Sequence, residues 1–271
     1  MGISDYEKII KYLVLSMMKG IGTVTQNALL DVCGSIDQCF SVDAEEFLGR
    51  DMDDRLGRSR IRQFVSRRND KELWSQAEST LEMAHRKGID VILRDAEEFP
   101  QRFGGISDMP IILYAKGELK INDYKKSVGI VGARRCTVEG KEKAIEVADI
   151  SVNVGAAIIS GMAKGIDSYA HTAALKSQGY TVAVLGNGAD ICYPKEHELL
   201  YEKIAKNGCI LSEYPPETKP CKYLFPKRNR LIAALSDQLY VIEAGRNSGT
   251  VSTVKSAERY ARKVISGERS S

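Results

Sequence analysis

A dense cationic cluster precedes an apolar run in the segment KYLFPKRNRLIAALS, residues 222–236. The basic and amide side chains of this cluster, which follow the aromatic Phe225, are Lys227, Arg228, Asn229 and Arg230. The amino end of a helix carries partial positive charge, so a solvated helix start favours acidic residues. The opposite sign here predicts binding of a negatively charged group from outside. We expect a helix beginning near Asn229, with the three cations facing solvent above the apolar run.

The segment GIVGARR offers a second anion site, because Gly132 lets a strand turn sharply into a following helix. Free amides and the dipole at such a helix start favour an anion, and Arg134 adds a guanidinium suited to phosphate. A nicotinamide cofactor would need an acidic residue at the end of the next strand, where Ser160 and Gly161 stand instead. The pattern therefore predicts phosphate binding without a dinucleotide cofactor.

The segment SGMAKGIDSYAH places a carboxylate and an imidazole one helical turn apart. Asp167 occupies an expected helix N-cap position, and His171 follows on the same helical face. Two interpretations stay open: an acid–base pair, or a capping carboxylate hydrogen-bonded to a structural histidine. Near the end of the chain, SGTVST provides amides and hydroxyls at another predicted helix start, typical of a phosphate cradle.

The composition is that of an ordinary globular protein: 271 residues, 43% hydrophobic, 28% charged, with a net charge of +3. No stretch approaches the roughly 20 apolar residues of a membrane span, and the start of the chain lacks the pattern of a signal peptide. The six cysteines form no C-x-x-C pair, and the histidines have no zinc-ligand spacing. We expect a cytoplasmic protein with reduced thiols, no metal, no cofactor and no membrane association.

The elements that position these residues follow an alternation of apolar runs and helical patterns. This alternation predicts an α/β fold with a doubly wound, mostly parallel sheet of the extended Rossmann-like kind, with ligands outside the carboxyl ends of the strands. The pattern in residues 1–70 predicts a small helical domain, which leaves 71–271 for the sheet. In the turn KGIGTVTQ we expect Thr23 or Thr25 to cap a helix that Gly34 ends. This helix-hairpin-helix-like turn either meets a DNA phosphate or only packs two helices.

Several motifs occur together in an order that resembles the DprA/Smf family of DNA-processing proteins. They are GARR, SGMAKGIDSYAH, GNGADICYP, SEYPP, FPKRNRLIAALS and VIEAGRNSGTVSTVKSAERYAR, and the resemblance covers roughly residues 88–264. It implies a protein that binds single-stranded DNA, forms a homodimer, and hands the strand to the RecA recombinase in natural transformation and recombination. It implies no catalytic residue.

Carried over by position, the resemblance implies a groove for the DNA strand with basic, polar and aromatic members. The implied DNA-binding residues are Arg134, Ser160, Gly161, Lys164, Phe225, Lys227, Arg228, Asn229 and Arg230. The turns at the strand ends that the sequence itself predicts to bind phosphate contain Gly132, Gly165, Ser248, Gly249 and Thr250. The chain departs from the family pattern in GAR, where Gly-Ser-Arg is common. It also ends in ERSS where the family continues, so we expect a truncated C-terminus.

The main alternative is a nucleotide-binding sensor or a nucleotide phosphoribohydrolase of the same superfamily. Those enzymes resemble one another in a P-G-G-x-G-T-x-x-E segment whose Glu is catalytic, and this chain has GRNSGTVSTVKSAE there. Gly-Thr is kept, whereas the first Pro-Gly-Gly and the closely following Glu are absent. A metal nuclease would need clustered carboxylates at strand ends, which the sequence lacks. The pattern favours binding over hydrolysis.

Overall fold

A computed structural model describes residues 3–49, 56–245 and 249–266 of the chain. Residue contacts divide the chain into two compact units. The first contains residues 1–87, 91–96 and 105–113, and the second contains 88–90, 97–104 and 114–271. Across the described residues, no helix is both long enough and apolar enough to cross a membrane.

The first unit is built mainly from helices. They are α1 (Ile3–Met17), α2 (Thr23–Cys33), α3 (Ile36–Ser41), α4 (Ala44–Gly49), α5 (Arg58–Arg67) and α6 (Lys71–Arg86). Helix α6 packs against α1 and buries Leu73, Ala77 and Ala84. Because this apolar stripe faces α1, the contacts place the whole of α6 in the first unit, whereas the sequence predicted a division at residue 70.

The turn between α1 and α2 is held by a side chain that the sequence analysis did not single out. Gln26 Nε2 donates to the main-chain oxygens of Ile21 at 2.9 Å and of Leu15 at 3.3 Å. The expected threonine cap is wrong, because the N-cap residue of α2 is Gly22 and no side chain caps the helix. The expected end at Gly34 is confirmed, since this glycine has φ of 83° and its N–H donates to the Leu30 oxygen.

The described residues form one eight-stranded sheet in the order β1-β2-β6-β5-β4-β3-β7-β8. Its strands are β1 (Asp90–Leu93), β2 (Ile112–Gly117), β3 (Lys126–Gly132), β4 (Ala156–Ser160), β5 (Thr181–Leu185), β6 (Cys209–Ser212), β7 (Gln238–Ile242) and β8 (Lys263–Ser266). Strand β2 pairs with β6 antiparallel, and every pair from β6 to β8 is parallel. This sheet confirms the predicted mostly parallel α/β fold.

Helices connect the parallel strands of the second unit and bury both faces of the central ones. They are α7 (Val138–Asn153), α8 (Ile166–Lys176), α9 (Glu198–Asn207), α10 (Leu224–Leu235) and α11 (Thr250–Arg259). Side chains of α7 and α8 pack with Val128 and Ile130 of β3 in one cluster. Gly129 points to the opposite face, where a Cβ would lie 2.3 Å from Ser236 Oγ, just after α10. The central strands are therefore buried on two sides, as their apolar runs predict.

The chain reverses its direction of travel across the sheet at β3. Strands β4, β5 and β6 follow one another on one side of β3, and β7 and β8 lie on its other side. The loops that leave β3 and β7 therefore diverge from neighbouring strand ends, which is where open α/β sheets bind ligands. The glycine-rich and charged segments found in the sequence lie at this carboxyl edge.

Candidate nucleic-acid interface

The loop after β3 presents Arg134 to solvent, but it does not leave an open anion site at the start of α7. Thr137 caps α7 by accepting the Gly140 N–H at 3.0 Å. The Glu243 carboxylate, which follows β7, accepts the Thr137 N–H at 2.9 Å and the Thr137 hydroxyl. The expectation of free amides is wrong at these positions, because the protein places its own carboxylate there.

Close packing of the backbone requires glycine at residues 132 and 165. A Cβ on Gly132 would lie 2.0 Å from the Ile242 oxygen, so only glycine fits between β3 and the end of β7. Gly165 has φ of 77°, and a Cβ there would lie 2.3 Å from the oxygen of Ala133 in the loop after β3. Both glycines thus bring neighbouring loops close together, and their predicted contact with phosphate stays a prediction.

The Ser160-Gly161 turn is part of the buried framework of the site. Ser160 is fully buried, and its hydroxyl donates to the Ile130 oxygen at 2.6 Å. The Gly161 N–H donates to Asp167 Oδ2 at 3.1 Å, and the Ala163 N–H donates to the same oxygen at 3.4 Å. The predicted N-cap role of Asp167 is therefore wrong: Gly165 is the N-cap residue of α8, and the carboxylate organises the preceding loop.

Asp167 and His171 are both buried, but they do not form an acid–base pair. His171 Nδ1 lies 2.7 Å from Thr181 Oγ1, which itself donates to the Ile158 oxygen, so Nδ1 carries the proton. His171 Nε2 is buried, and it has no hydrogen-bond partner among the residues that the structure describes. Burial lowers the pKa of His171 to about 3, and the positive charges of His197 and Arg228 act in the same direction. His171 is a neutral structural side chain.

The cationic segment adopts a different arrangement from the one expected. Helix α10 begins at Leu224, five residues before Asn229, so the three cations belong to the body of the helix. Arg228 is only 5% exposed, which makes the expectation that it faces solvent wrong. Its Nη1 donates to the oxygens of Gly161, at 2.9 Å, and Val184, and its Nε donates to Asn229 Oδ1 at 3.1 Å. Arg228 thereby joins α10 to the carboxyl ends of β4 and β5.

The surroundings of Arg228 change the pKa of its guanidinium. Burial lowers the pKa of the guanidinium to about 10, the Asp167 carboxylate opposes this shift, and the positive charge of Arg134 adds to it. Burial in turn raises the pKa of the Asp167 carboxyl, an effect that Arg228 and the loop N–H groups oppose. Arg134 is thus close enough to act electrostatically on the Arg228–Asp167 framework while its own side chain is exposed.

The other two cations of the segment, Arg230 and Lys227, differ in their exposure to solvent. Arg230 makes a two-pronged ion pair with Glu213, with Nη1–Oε1 at 3.1 Å and Nη2–Oε2 at 2.6 Å, and both side chains are mostly buried. The expectation that Arg230 faces solvent unpaired is wrong for this reason. Lys227 is exposed, and its Nζ lies 5.5 Å from the ring centre of Tyr223, which is 63% exposed. Lys227 is the member of the three that is available to an outside anion.

Phe225 forms an aromatic pair at this edge with Tyr193, which belongs to the segment GNGADICYP. Its ring stacks on Tyr193 with centroids 5.5 Å apart and an angle of 26° between the planes. Gly186 makes room for this ring, since a Cβ there would lie 2.9 Å from it. Tyr193 is 45% exposed and precedes Pro194 through a cis peptide bond. The Tyr-Pro pair at the end of a glycine-rich segment is the sequence signal that could have identified it.

Asn229 connects the cationic segment to the start of α11, where the segment SGTVST was predicted to bind phosphate. Its Nδ2 donates to the Gly249 oxygen and to Ser252 Oγ, both at 2.9 Å, so it does not cap α10. Gly249 is the N-cap residue of α11, and Thr250 is buried in the first turn. Ser248 lies outside the described residues. Lys164 is exposed beside Glu196, with which it forms an ion pair.

The edge as a whole therefore separates into a buried framework and an exposed layer. Arg228, Asp167 and Asn229 bind main-chain groups and hold the loops in place, while the exposed layer combines cations with aromatic rings. The exposed members are Arg134, Lys164, Lys227, Tyr193 and Tyr223. Within the described residues, no group of His, Cys, Asp and Glu side chains is placed to hold a metal ion.

Comparison with known proteins gives a consistent family assignment. The family described as DNA recombination-mediator protein A matches residues 90–270. The DNA processing protein DprA of Bacillus subtilis is 33% identical over 208 residues, covering 77% of this chain and 70% of that protein. Protein Smf of Synechocystis is 37% identical over 217 residues, and the chain spans only 53% of its length.

Solved structures agree with this assignment. The crystal structure of DprA from Streptococcus pneumoniae has a TM-score of 0.75 at 28% identity, covering 100% of this chain and 88% of that one. A Helicobacter pylori DprA, described for its single-stranded DNA binding mode, has a TM-score of 0.62 at 33% identity, covering 67% of this chain and 82% of that one. The motifs, the sheet and these relatives show that the chain belongs to the DprA/Smf family of DNA recombination-mediator proteins.

Proposed function

We propose that this protein binds single-stranded DNA along the carboxyl edge of its sheet. The observation that carries the proposal is the alternation of exposed cations and aromatic rings there, with Lys227 beside Tyr223 and Tyr193 stacked on Phe225. Proteins that bind single strands without sequence preference combine positive charge for the backbone with aromatic faces for the bases. The Helicobacter pylori relative, described as binding single-stranded DNA, adds support from the family.

The buried framework has a supporting role in this proposal. Arg228 and Asn229 hold the ends of β4 and β5 and the start of α11 at fixed positions, so the exposed groups face the strand in one arrangement. Arg134 and Lys227 supply charge to phosphates, with Lys164 able to leave its exposed partner Glu196. Ser160 and Gly161 contribute by shaping the turn, since the Ser160 hydroxyl is already bonded.

The exposed residues do not assemble a hydrolytic centre, and we propose binding without catalysis. His171, the candidate base, is buried with its protonated nitrogen bonded to Thr181, and Asp167 is bonded to loop amides. General acid–base catalysis requires side chains within hydrogen-bond reach of a substrate. Incubation with nucleoside monophosphates or oligonucleotides and magnesium should release neither a base nor a cleaved strand. Turnover that is lost on substitution of Asp167 would contradict this.

We further propose, from the family resemblance, that the protein acts as a homodimer and hands the bound strand to the RecA recombinase in the cytoplasm. The chain spans 70% of the Bacillus subtilis relative and 53% of the Synechocystis relative. RecA filament assembly on single-stranded DNA, followed by its ATP hydrolysis, should start sooner in the presence of this protein. An unchanged delay would contradict the loading role while leaving DNA binding untouched.

A titration that compares single-stranded with double-stranded DNA tests the main proposal. A fluorescein-labelled oligonucleotide and its duplex are each titrated with the protein, and anisotropy reports binding. We expect the single strand to bind more tightly, because unpaired bases can reach the exposed rings and paired ones cannot. Oligonucleotides of different composition should bind alike. Equal affinity for single strand and duplex would overturn the proposal.

A further inference from the structure

A groove lies on the second unit beside α8 and α9. It has a volume of about 880 Å³ and is lined by parts of α8 and α9 and by the residues that precede β3 and β5. Tyr124 comes just before β3, and Tyr180 comes just before β5, so one end of this groove lies at the amino ends of the parallel strands. From there the groove follows α9 back to Leu199, near the start of that helix. The candidate DNA interface follows the carboxyl ends of the same strands.

Four lysines line the groove, and none of the described residues in its lining is acidic. The lysines are Lys120, Lys176, Lys203 and Lys206. Lys120 forms an ion pair with the exposed Glu118 at 2.8 Å. For the other three, the described part of the chain provides no ion-pair partner. Such a one-sided charge distribution attracts carboxylates or phosphates and disfavours cations.

The groove lining also contains apolar side chains. Leu199 is 74% exposed, and Leu175 and Leu200 are half-buried beside it. On α9, Leu199, Lys203 and Lys206 have the spacing i, i+4 and i+7, which places an apolar anchor and two cations on one helical face. A leucine this exposed amid lysines suits a partner that carries apolar and acidic side chains together.

One end of the groove is rigid before anything binds. The Tyr180 hydroxyl accepts the Lys120 N–H at 2.9 Å and donates to the Glu118 oxygen at 2.8 Å. Tyr124 stacks on Tyr180 with ring centroids 5.0 Å apart and 14° between the planes. A preformed wall lowers the cost of ordering on binding. Tyr180 is only 7% exposed, so its ring offers no free face to a nucleic-acid base.

We propose that this groove docks an acidic, amphipathic segment of a partner protein. The apolar side chains of the segment would contact Leu175, Leu199 and Leu200, and its carboxylates would pair with Lys176, Lys203 and Lys206. Helix-in-groove recognition uses this combination of spaced apolar anchors and flanking charges. A single DNA strand fits less well, because leucines offer no stacking platform and the Tyr180 ring is buried.

The position of the groove's lysines bears on whether a partner segment and DNA compete for this protein. Lys176 and Lys206 lie near the ends of α8 and α9 that precede β5 and β6, at the edge opposite the candidate DNA interface. We therefore expect these cations to bind a partner segment without competing with a DNA strand. The proposal stands on the groove alone, and peptide binding is measured without DNA. Its failure is therefore distinguishable from failure of the proposed DNA-binding function.

The test uses a labelled synthetic peptide of about four helical turns with leucines at positions i, i+3, i+4 and i+7 and glutamates elsewhere. A second peptide keeps the leucines and replaces every glutamate by lysine. We expect the acidic peptide to bind the full chain in an anisotropy titration and the basic peptide not to bind. The triple variant Lys176→Glu, Lys203→Glu, Lys206→Glu should weaken binding by about tenfold or more, because three exposed ion pairs become repulsive.

A matched control changes the net charge equally at exposed lysines elsewhere: Lys19→Glu, Lys71→Glu and Lys143→Glu. This control should bind the acidic peptide as the original chain does, and Leu199→Ser alone should weaken binding by about fivefold through loss of the apolar contact. Equal binding of the two peptides, or unchanged affinity of both the triple variant and Leu199→Ser, would overturn the proposal. Displacement of the bound peptide by an unlabelled single-stranded oligonucleotide would overturn it as well.

Discussion

Arg228 and Gly161, 67 residues apart in the chain, are in direct contact at the centre of the candidate DNA interface. The guanidinium donates to the Gly161 oxygen at 2.9 Å, and a Cβ on residue 161 would lie 2.7 Å from its central carbon. Glycine is thus required so that the arginine can reach the main chain. A cation that the sequence suggests as a phosphate ligand is instead a buried tie between α10 and the end of β4.

Replacement of Arg228 by alanine should destabilise the fold. The oxygens of Gly161 and Val184 would lose their donor, and the Asp167 carboxylate would lose the positive charge that opposes its burial. We expect a loss of about 2–4 kcal/mol in the free energy of unfolding, measured by urea denaturation. Lys227→Ala, one residue away and exposed, is the matched control and should leave the midpoint in place. Equal midpoints for the two variants would contradict the assigned role of Arg228.

A methyl group at residue 161 should disturb the same contact between Arg228 and the Gly161 turn. Gly161→Ala would push the buried guanidinium away from the turn, at a cost of about 1–3 kcal/mol for overpacking a filled site. The thermal midpoint of Gly161→Ala checks this. Gly57→Ala is the control, because no atom of the described residues would lie within 4 Å of a Cβ at residue 57. A midpoint for Gly161→Ala as high as that of the control would argue against the close contact.

Lys227 should contribute charge to DNA binding without contributing to stability. If its ammonium neutralises one phosphate, Lys227→Ala should lower the log–log salt slope for single strands by about 0.7. The affinity should fall at low salt, while the thermal midpoint stays unchanged. Lys125→Ala, an exposed lysine at the amino end of β3, is the control and should keep the original slope. The same slope in both variants would place the DNA path away from Lys227.

The exposed tyrosines should contribute to binding through their ring faces. Tyr223→Ala and Tyr193→Ala are each expected to lose about 1–3 kcal/mol of affinity for a single strand if one base stacks on the ring. Tyr223→Phe keeps the ring and removes only the hydroxyl, so it should bind nearly as well as the original protein. Anisotropy titrations at fixed salt concentration measure these differences. A Tyr223→Phe variant as weak as Tyr223→Ala would point to the hydroxyl instead of stacking.

His171 should make the stability of the fold depend on pH. Its pKa in the folded protein is lowered to about 3 from an ordinary value of 6.5, so between these values the unfolded chain binds more protons. The contribution of His171 to the free energy of unfolding is therefore fully present above about pH 6.5. It falls as the pH decreases below that value, by about 1.4 kcal/mol per pH unit.

Urea denaturation across this pH range measures the effect. His171→Asn, whose amide can replace Nδ1 as donor to Thr181, should show a flatter decline below pH 6.5. His85→Asn is the control, since His85 is exposed on α6 and should leave the curve unchanged. The charged groups that hold the pKa of His171 low besides burial are His197 and Arg228. An identical slope in His171→Asn and the original protein would contradict the assignment.

The sequence by itself determined the class of fold and the edge at which the site lies. Apolar runs such as TVAVL form β-strands buried on both faces, and their alternation with helices leaves a parallel sheet as the arrangement that covers them. The residues that follow each strand then meet at one edge, whatever the details of packing. These residues belong to motifs, and the order of the motifs along the chain was sufficient to indicate the family.

Tertiary structure alone decided which of these residues face solvent. Lys227, Arg228 and Arg230 are similar in sequence, yet one is exposed, one binds main-chain oxygens and one pairs with Glu213. The outcome depends on where α10 begins and on partners distant in the chain, neither of which a local pattern encodes. In the same way Asp167 and Glu243 bind amides of preceding or distant loops. A buried charge is stable only where such partners satisfy it, and their positions are set by the assembled sheet.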